Sequence, residues 1–189
     1  MSVGPGTVGF ETTPGEGVSM ATSAEVLIDA YERIQQVVHG AVDGLDESAL
    51  TYRVDPAANS IAWLIWHLAR VQDDHIADAA GVEQVWTAKA WYDRFGLSSG
   101  DLGIGYGDSA GEVARIQAPA EVLTGYFDAV HEQTLGFLRG LTDADLDRVV
   151  DTQWDPPVTL GVRLVSVISD DLQHAGQAAY VRGIILRTR

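Results

Sequence analysis

The sequence contains no cysteine. Disulfides, thiolate metal sites and a cysteine nucleophile are therefore excluded, and any thiol chemistry needs a thiol from outside the chain. Positive charge is scarce. Twelve lysines and arginines stand against 27 aspartates and glutamates, a formal net charge of -15. Nucleic acids and anionic membranes are bound through basic patches, so neither is an expected partner. No apolar run is long enough to cross a bilayer. The opening MSVGPGTVGFETTPGEGV carries neither a basic n-region nor an apolar h-region, so it does not read as a secretory signal, and the cytoplasm is the expected location.

What is present is 189 residues, 46% hydrophobic and 21% charged, ample for one domain with a real core. Residues 1–20 are rich in Gly, Pro and Thr, lack periodicity and are expected to form a flexible tail, with residues 21–189 as a single domain. Thr22 and Glu25 make a capping box, and an apolar stripe from Val26 to Ala41 predicts a first helix that Gly44 ends. One short helical turn is expected at Glu47–Leu50. Asn59 reads as the N-cap of a second helix that runs to about Ala80 and stops at Gly81. A third helix starts near Pro119 and continues to Arg139, and a fourth occupies Leu160 to Leu186. Between the second and third, residues 82–118 are irregular. They hold an aromatic cluster, Trp86, Trp91, Tyr92 and Phe95, then a loop with Gly103, Gly105 and Gly107. No lysine follows these glycines as in a phosphate loop, and the segment reads as mobile, with a lid as its one functional alternative. A very short β-hairpin, Val149–Asp151 with Val158–Leu160, is expected before the last helix. Four long amphipathic segments predict an all-α four-helix bundle, and the long 82–118 link allows a crossover connection. The broad apolar faces are compatible with a homodimer.

The chemistry concentrates in the last helix. Asp170, Asp171 and His174 interrupt an apolar stretch, where titratable groups are costly unless paired or bound to a metal. Residues four apart stack on one helix face, so Asp170 and His174 can grip one ion. Val167, Gln177 and Val181 point within about 60° of the same direction at 3.6 residues per turn. On the second helix, His67 lies inside the apolar stripe. Two imidazoles and one carboxylate suit zinc, iron(II), nickel or manganese, with positions left for water or substrate. Asp171 or Gln177 can orient a ligand from behind. The same residues also allow a structural reading, a hydrogen-bonded core histidine and an Asp170–His174 pair that fixes helix register. His131-Glu132 begins a zinc-protease HExxH, but Leu135 breaks it, and His131 is expected at the surface or a helix boundary. Arg70, one turn after His67, and Arg163 or Arg182 are candidates to hold an acidic substrate or cofactor. Trp86, Trp91, Tyr92 and Phe95 either wall a pocket for an apolar electrophile or seal the bundle end.

The stretches SIAWLIWHLARVQDDH and DDLQHAGQAAYVRG together resemble the DinB-like superfamily, in particular the branch of mycothiol-dependent maleylpyruvate isomerase and the YfiT-type metal proteins. The similarity extends from about Ala21 to Arg187 and is most specific in NSIAWLIWHLA, the Trp-rich segment and QHAGQ. It implies a four-helix bundle with a divalent metal near one end, held by one histidine on the second helix and an HxxxH pair on the last. His67 and His174 match the outer ligands. Asp170 stands where the family usually has histidine. The resemblance also implies a metal-dependent transferase or isomerase using a small thiol such as mycothiol. A hydrolase using metal-bound water and a non-catalytic bundle that binds a small ligand or partner remain as alternatives.

Overall fold

The computed structural model describes residues 21–101 and 103–188, and the expected N-terminal tail lies outside the described residues. Helix α1 (Ser23–Val42) begins at the predicted capping box, with Thr22 accepting from the Glu25 amide and Glu25 reaching back to the Thr22 backbone. The single turn α2 (Glu47–Leu50) is capped by Asp46. Helix α3 (Ile61–Ala80) ends at Gly81 in the left-handed conformation. Its N-cap is Ser60, not the expected Asn59: the Ser60 hydroxyl accepts from the Trp63 amide. Both residue types cap well, so composition alone does not separate neighbours.

Residues 82–118 fold into three one-turn helices, α4 (Val85–Ala88), α5 (Trp91–Arg94) and α6 (Ala110–Val113), joined by loops. Helix α7 (Ala120–Leu138) follows Pro119. A short 3-10 turn (Asp143–Asp147) leads into β1 (Val149–Asp151) and β2 (Val158–Thr159), an antiparallel pair that feeds directly into α8 (Leu160–Thr188).

The four long helices form the bundle. Helix α8 packs between α1 and α3, and α7 packs on their other sides. Helices α1 and α3 scarcely touch, so the diagonal crossings are made by the shorter links 43–60 and 139–159. The long 82–118 segment joins neighbours and serves another purpose. Helix α3 is apolar nearly all round, burying Trp63, Trp66, Leu68 and Val71 together with the stripe Ile61, Leu64, Ile65 and Ile76. A helix of that kind must be covered on every side. The 82–118 segment supplies the missing cover, with Trp86 edge-on to Trp66 and Gly105 against Trp63 and Trp66.

Trp86 and Trp91 belong to this cover. Trp86 packs against Tyr92, Phe95 and Tyr126, and Trp91 lies against Tyr126 and under the Arg94 guanidinium. Both are buried. His131 departs from expectation as well: it is only 4% exposed and stacks on Phe127. One turn separates the two residues, so they share the face of α7 on which Phe127 and Val130 are buried. No helix among the described residues is long and apolar enough to cross a membrane.

Candidate metal centre

Helices α3 and α8 bring His67, Asp170 and His174 together. One ligand atom from each lies within 4.8 Å of the others, the one such group of His, Cys, Asp or Glu among the described residues. His174 Nε2 stands 3.7 Å from Asp170 Oδ1, and the two imidazole rings meet edge to face at 4.8 Å. His67 is 2% exposed, whereas the Asp170 and His174 side chains are each 20% exposed. The group is therefore buried on the α3 side and open to solvent along α8.

Each histidine is held by its Nδ1. On His67 this atom donates to the carbonyl of Ile104, and on His174 it donates to Gln177 Oε1 at 3.1 Å. Both acceptors lack a proton, so both rings carry hydrogen on Nδ1 and leave the Nε2 lone pair for a metal. Burial pushes His67 below its ordinary pKa, and the nearby His174 ring adds to this, against the opposing pull of the Ile104 carbonyl. A neutral imidazole is the form that ligates. Asp170 Oδ2 is buried and has no hydrogen-bond partner. A carboxylate with one unpartnered oxygen, standing with two imidazoles, is a donor set that fits a divalent cation. Bonds of about 2.0–2.1 Å require a tighter cluster than this one, so the side chains would have to draw closer to hold a metal.

The Ile104 carbonyl was not legible as a functional group in the sequence. Its loop, expected to be mobile, lies so close to His67 that a Cβ on Gly105 would stand 2.7 Å from Nδ1, and Gly105 has φ +95°. Only glycine fits both demands. Alternating glycines were the available signal, and the middle one, Gly105, marks where the backbone presses against His67, while Gly103 and Gly107 have open space beside them. Trp63 stacks on the other side of His67 at 4.5 Å, and its Nε1 donates to Asp108. Tyr106 meets the same imidazole edge-on at 5.3 Å.

Of the other expected site residues, Gln177 lies at the triad and lines an open groove of about 570 Å³ with Leu64, Leu172, Tyr180 and others. Asp171 does not face the triad. It is fully buried on the inner side of α8 near Tyr31, where burial, and then the Asp170 charge, raise its carboxyl pKa well above the ordinary range. One residue along a helix rotates by about 100°, enough to turn Asp171 into the core. Arg70 also stays inside. Its guanidinium donates to Gln84, Tyr126 and the Gly103 carbonyl and lies 3.5 Å from Asp73. Trp86 and Trp91 line neither this groove nor the cleft beyond Tyr106. Arg182 donates to the Asp43 carbonyl at the α1 end.

The profile of the DinB superfamily matches residues 30–178. Among solved structures, a conserved protein from Enterococcus faecalis superposes with a TM-score of 0.81 at 26% identity, covering 88% of this chain and 99% of that one. No curated protein matches the chain in sequence at a significant level. Helical bundle, matched residues and the His/Asp/His group agree: the chain belongs to the DinB superfamily.

Proposed function

We propose that this protein is a metal-dependent transferase or isomerase that works with a small external thiol such as mycothiol. The observation that carries the reading is the pair of histidines tied back by Ile104 and Gln177, which stand with Asp170 so that one ligand atom of each lies within 4.8 Å of the others. A divalent metal held there lowers the pKa of a coordinated thiol or water and makes a nucleophile at neutral pH. Zinc, nickel, manganese and iron(II) all suit two imidazoles and a carboxylate.

The residues of the chain supply the rest. Ile104 and Gln177 hold the ligands in place, Trp63 and the 103–107 loop keep water from the back of His67, and the exposed side along α8 admits a substrate. With no cysteine in the chain, a thiol nucleophile has to be brought in. Two open depressions flank the triad, one at Gln177 and one beyond Tyr106, which suits a reaction between two partners. A second reading is hydrolysis by bound water. The donor set itself favours it, because two histidines and one carboxylate are also the ligands of hydrolytic zinc enzymes.

Turnover of an electrophile such as a chlorinated bimane by metal-loaded protein, with and without mycothiol, separates the two. Thiol-dependent consumption supports the transferase. Consumption at the same rate without thiol supports the hydrolase and contradicts the first reading.

A further inference from the structure

The same two helices carry a second polar set beyond the triad. Arg163 stands on α8 two turns before Asp170, and His75 stands on α3 about two turns after His67. Arg163 Nη1 donates to His75 Nδ1 at 2.6 Å, and Nη2 donates to Asp151 at 2.9 Å. A guanidinium only donates, so His75 Nδ1 accepts and the ring proton sits on Nε2. No described residue accepts from that N–H. Arg163 is thus fixed from two sides, and His75 is a neutral hydrogen-bond donor.

These groups line a cleft of about 390 Å³ whose other walls include Tyr106, Trp154, Val158 and Val162. Tyr106 is 63% exposed and Trp154 67%, large rings left in water at a donor-lined cleft. Tyr106 also contacts the His67 ring, so the cleft adjoins the metal centre. Aromatic walls favour a flat apolar body, and a donor-lined floor favours an acceptor group. The cleft has no surplus positive charge, because Asp151 offsets Arg163, Asp74 lies 3.6 Å from His75, and the charges of Asp170 and Asp78 also reach that ring. An anion here would be held by oriented donors, the His75 Nε2–H and the remaining N–H groups of Arg163, and not by net charge.

We propose that this cleft is the substrate subsite and takes a small aromatic carboxylate, with Arg163 and His75 donating to the carboxylate and Tyr106 and Trp154 holding the ring. Its role as a substrate subsite rests on the metal-dependent function proposed above, but its floor and walls do not include a metal ligand. The test is calorimetric titration of benzoate and of neutral benzamide into metal-free and zinc-loaded protein. Benzoate is expected to bind about tenfold more tightly than benzamide, as a charge-assisted hydrogen bond implies. Arg163→Gln removes that preference, Trp154→Ala weakens both probes, and zinc content per chain is unchanged in both variants. Trp154 is largely exposed, so its variant decides the matter even where Arg163→Gln fails to fold. Absence of benzoate binding to the wild type, or equal affinity in the wild type and both variants, overturns the proposal. Failure of the metal reading registers separately, as a chain that takes up no zinc while benzoate binding still depends on Arg163.

Discussion

Helix α3 carries two polar clusters that look alike in sequence and differ in what they leave unfilled. Toward α7, Asp73 is fully buried and accepts from the amides of Val85 and Trp86 and from the Tyr126 hydroxyl, with Arg70 at 3.5 Å. Burial still raises its pKa, against the pull of those donors. Arg70 in turn is satisfied by Gln84, Tyr126 and Gly103 and lies over the Trp86 ring. Toward α8, His67 has one nitrogen tied to Ile104 and the other free, facing Asp170 and His174. The first cluster closes on itself and pins the 82–118 cover to the bundle. The second is oriented from behind and open in front. A buried polar group with every partner inside the protein reads as architecture, and one held in place with a lone pair to spare reads as a site.

The largest effect that tests this contrast falls on the closed cluster. Asp73→Ala strands two amides and leaves a buried guanidinium without its carboxylate. It should cost about 3–5 kcal/mol of stability, with a midpoint lowered by about 10 °C in thermal unfolding. Metal uptake by the fraction that remains folded should be unchanged. Loss of metal binding at full stability would place Asp73 in the site and break the contrast.

A second variant strikes the junction of the two clusters. In Gly105→Ala the new methyl meets His67 Nδ1 and the rings of Trp63 and Trp66, and the backbone sits where alanine is strained. The loop must withdraw and take the Ile104 carbonyl with it. Zinc affinity should fall about 10–100-fold by competition with a chelator, as for loss of any partner that orients a ligand. Stability should fall by about 1–3 kcal/mol. Unchanged affinity would show that the loop does not position His67.

The smallest effect concerns a histidine in neither cluster. Burial holds His131 below its ordinary pKa. A depressed folded value means the unfolded chain binds the proton more readily. The stability contribution is therefore present above the unfolded value near 6.5 and lost as pH falls through the folded one. His131→Phe should leave neutral-pH stability within about 1 kcal/mol and reduce the loss between about pH 7 and pH 5, measured by urea titration. His67 and His75, lowered mainly by burial too, retain the rest of that loss. An acid-side slope unchanged by the substitution would mean that His131 stays exposed to water.

The bundle was readable because its punctuation is local. Thr22 with Glu25, Gly81, Pro119 and the hairpin before Leu160 act through their own neighbours, and each does so here. The triad was readable because the Asp170–His174 spacing survives on any helix and His67 stood out as a polar group inside the apolar stripe of the second helix, which the family resemblance then matched to a ligand. The partners of the site were not. Whether Arg70 faces substrate or Asp73 depends on how residues 82–118 wrap α3, and that wrap has no periodicity to read. Asp171 was misdirected by adjacency, since one step along α8 separates the open face from the core. Ile104 acts through a backbone carbonyl, which no side chain reveals.

On the proposed function, His67, Asp170 and His174 hold one divalent cation. Elemental analysis after reconstitution with zinc, nickel, manganese or iron(II) tests it directly, with His174→Ala as the comparison. The wild type should retain about one metal per chain and His174→Ala almost none, at comparable stability because His174 is half-buried at the helix edge. A wild type that retains none of the four, or a His174→Ala that retains as much as the wild type, would contradict it.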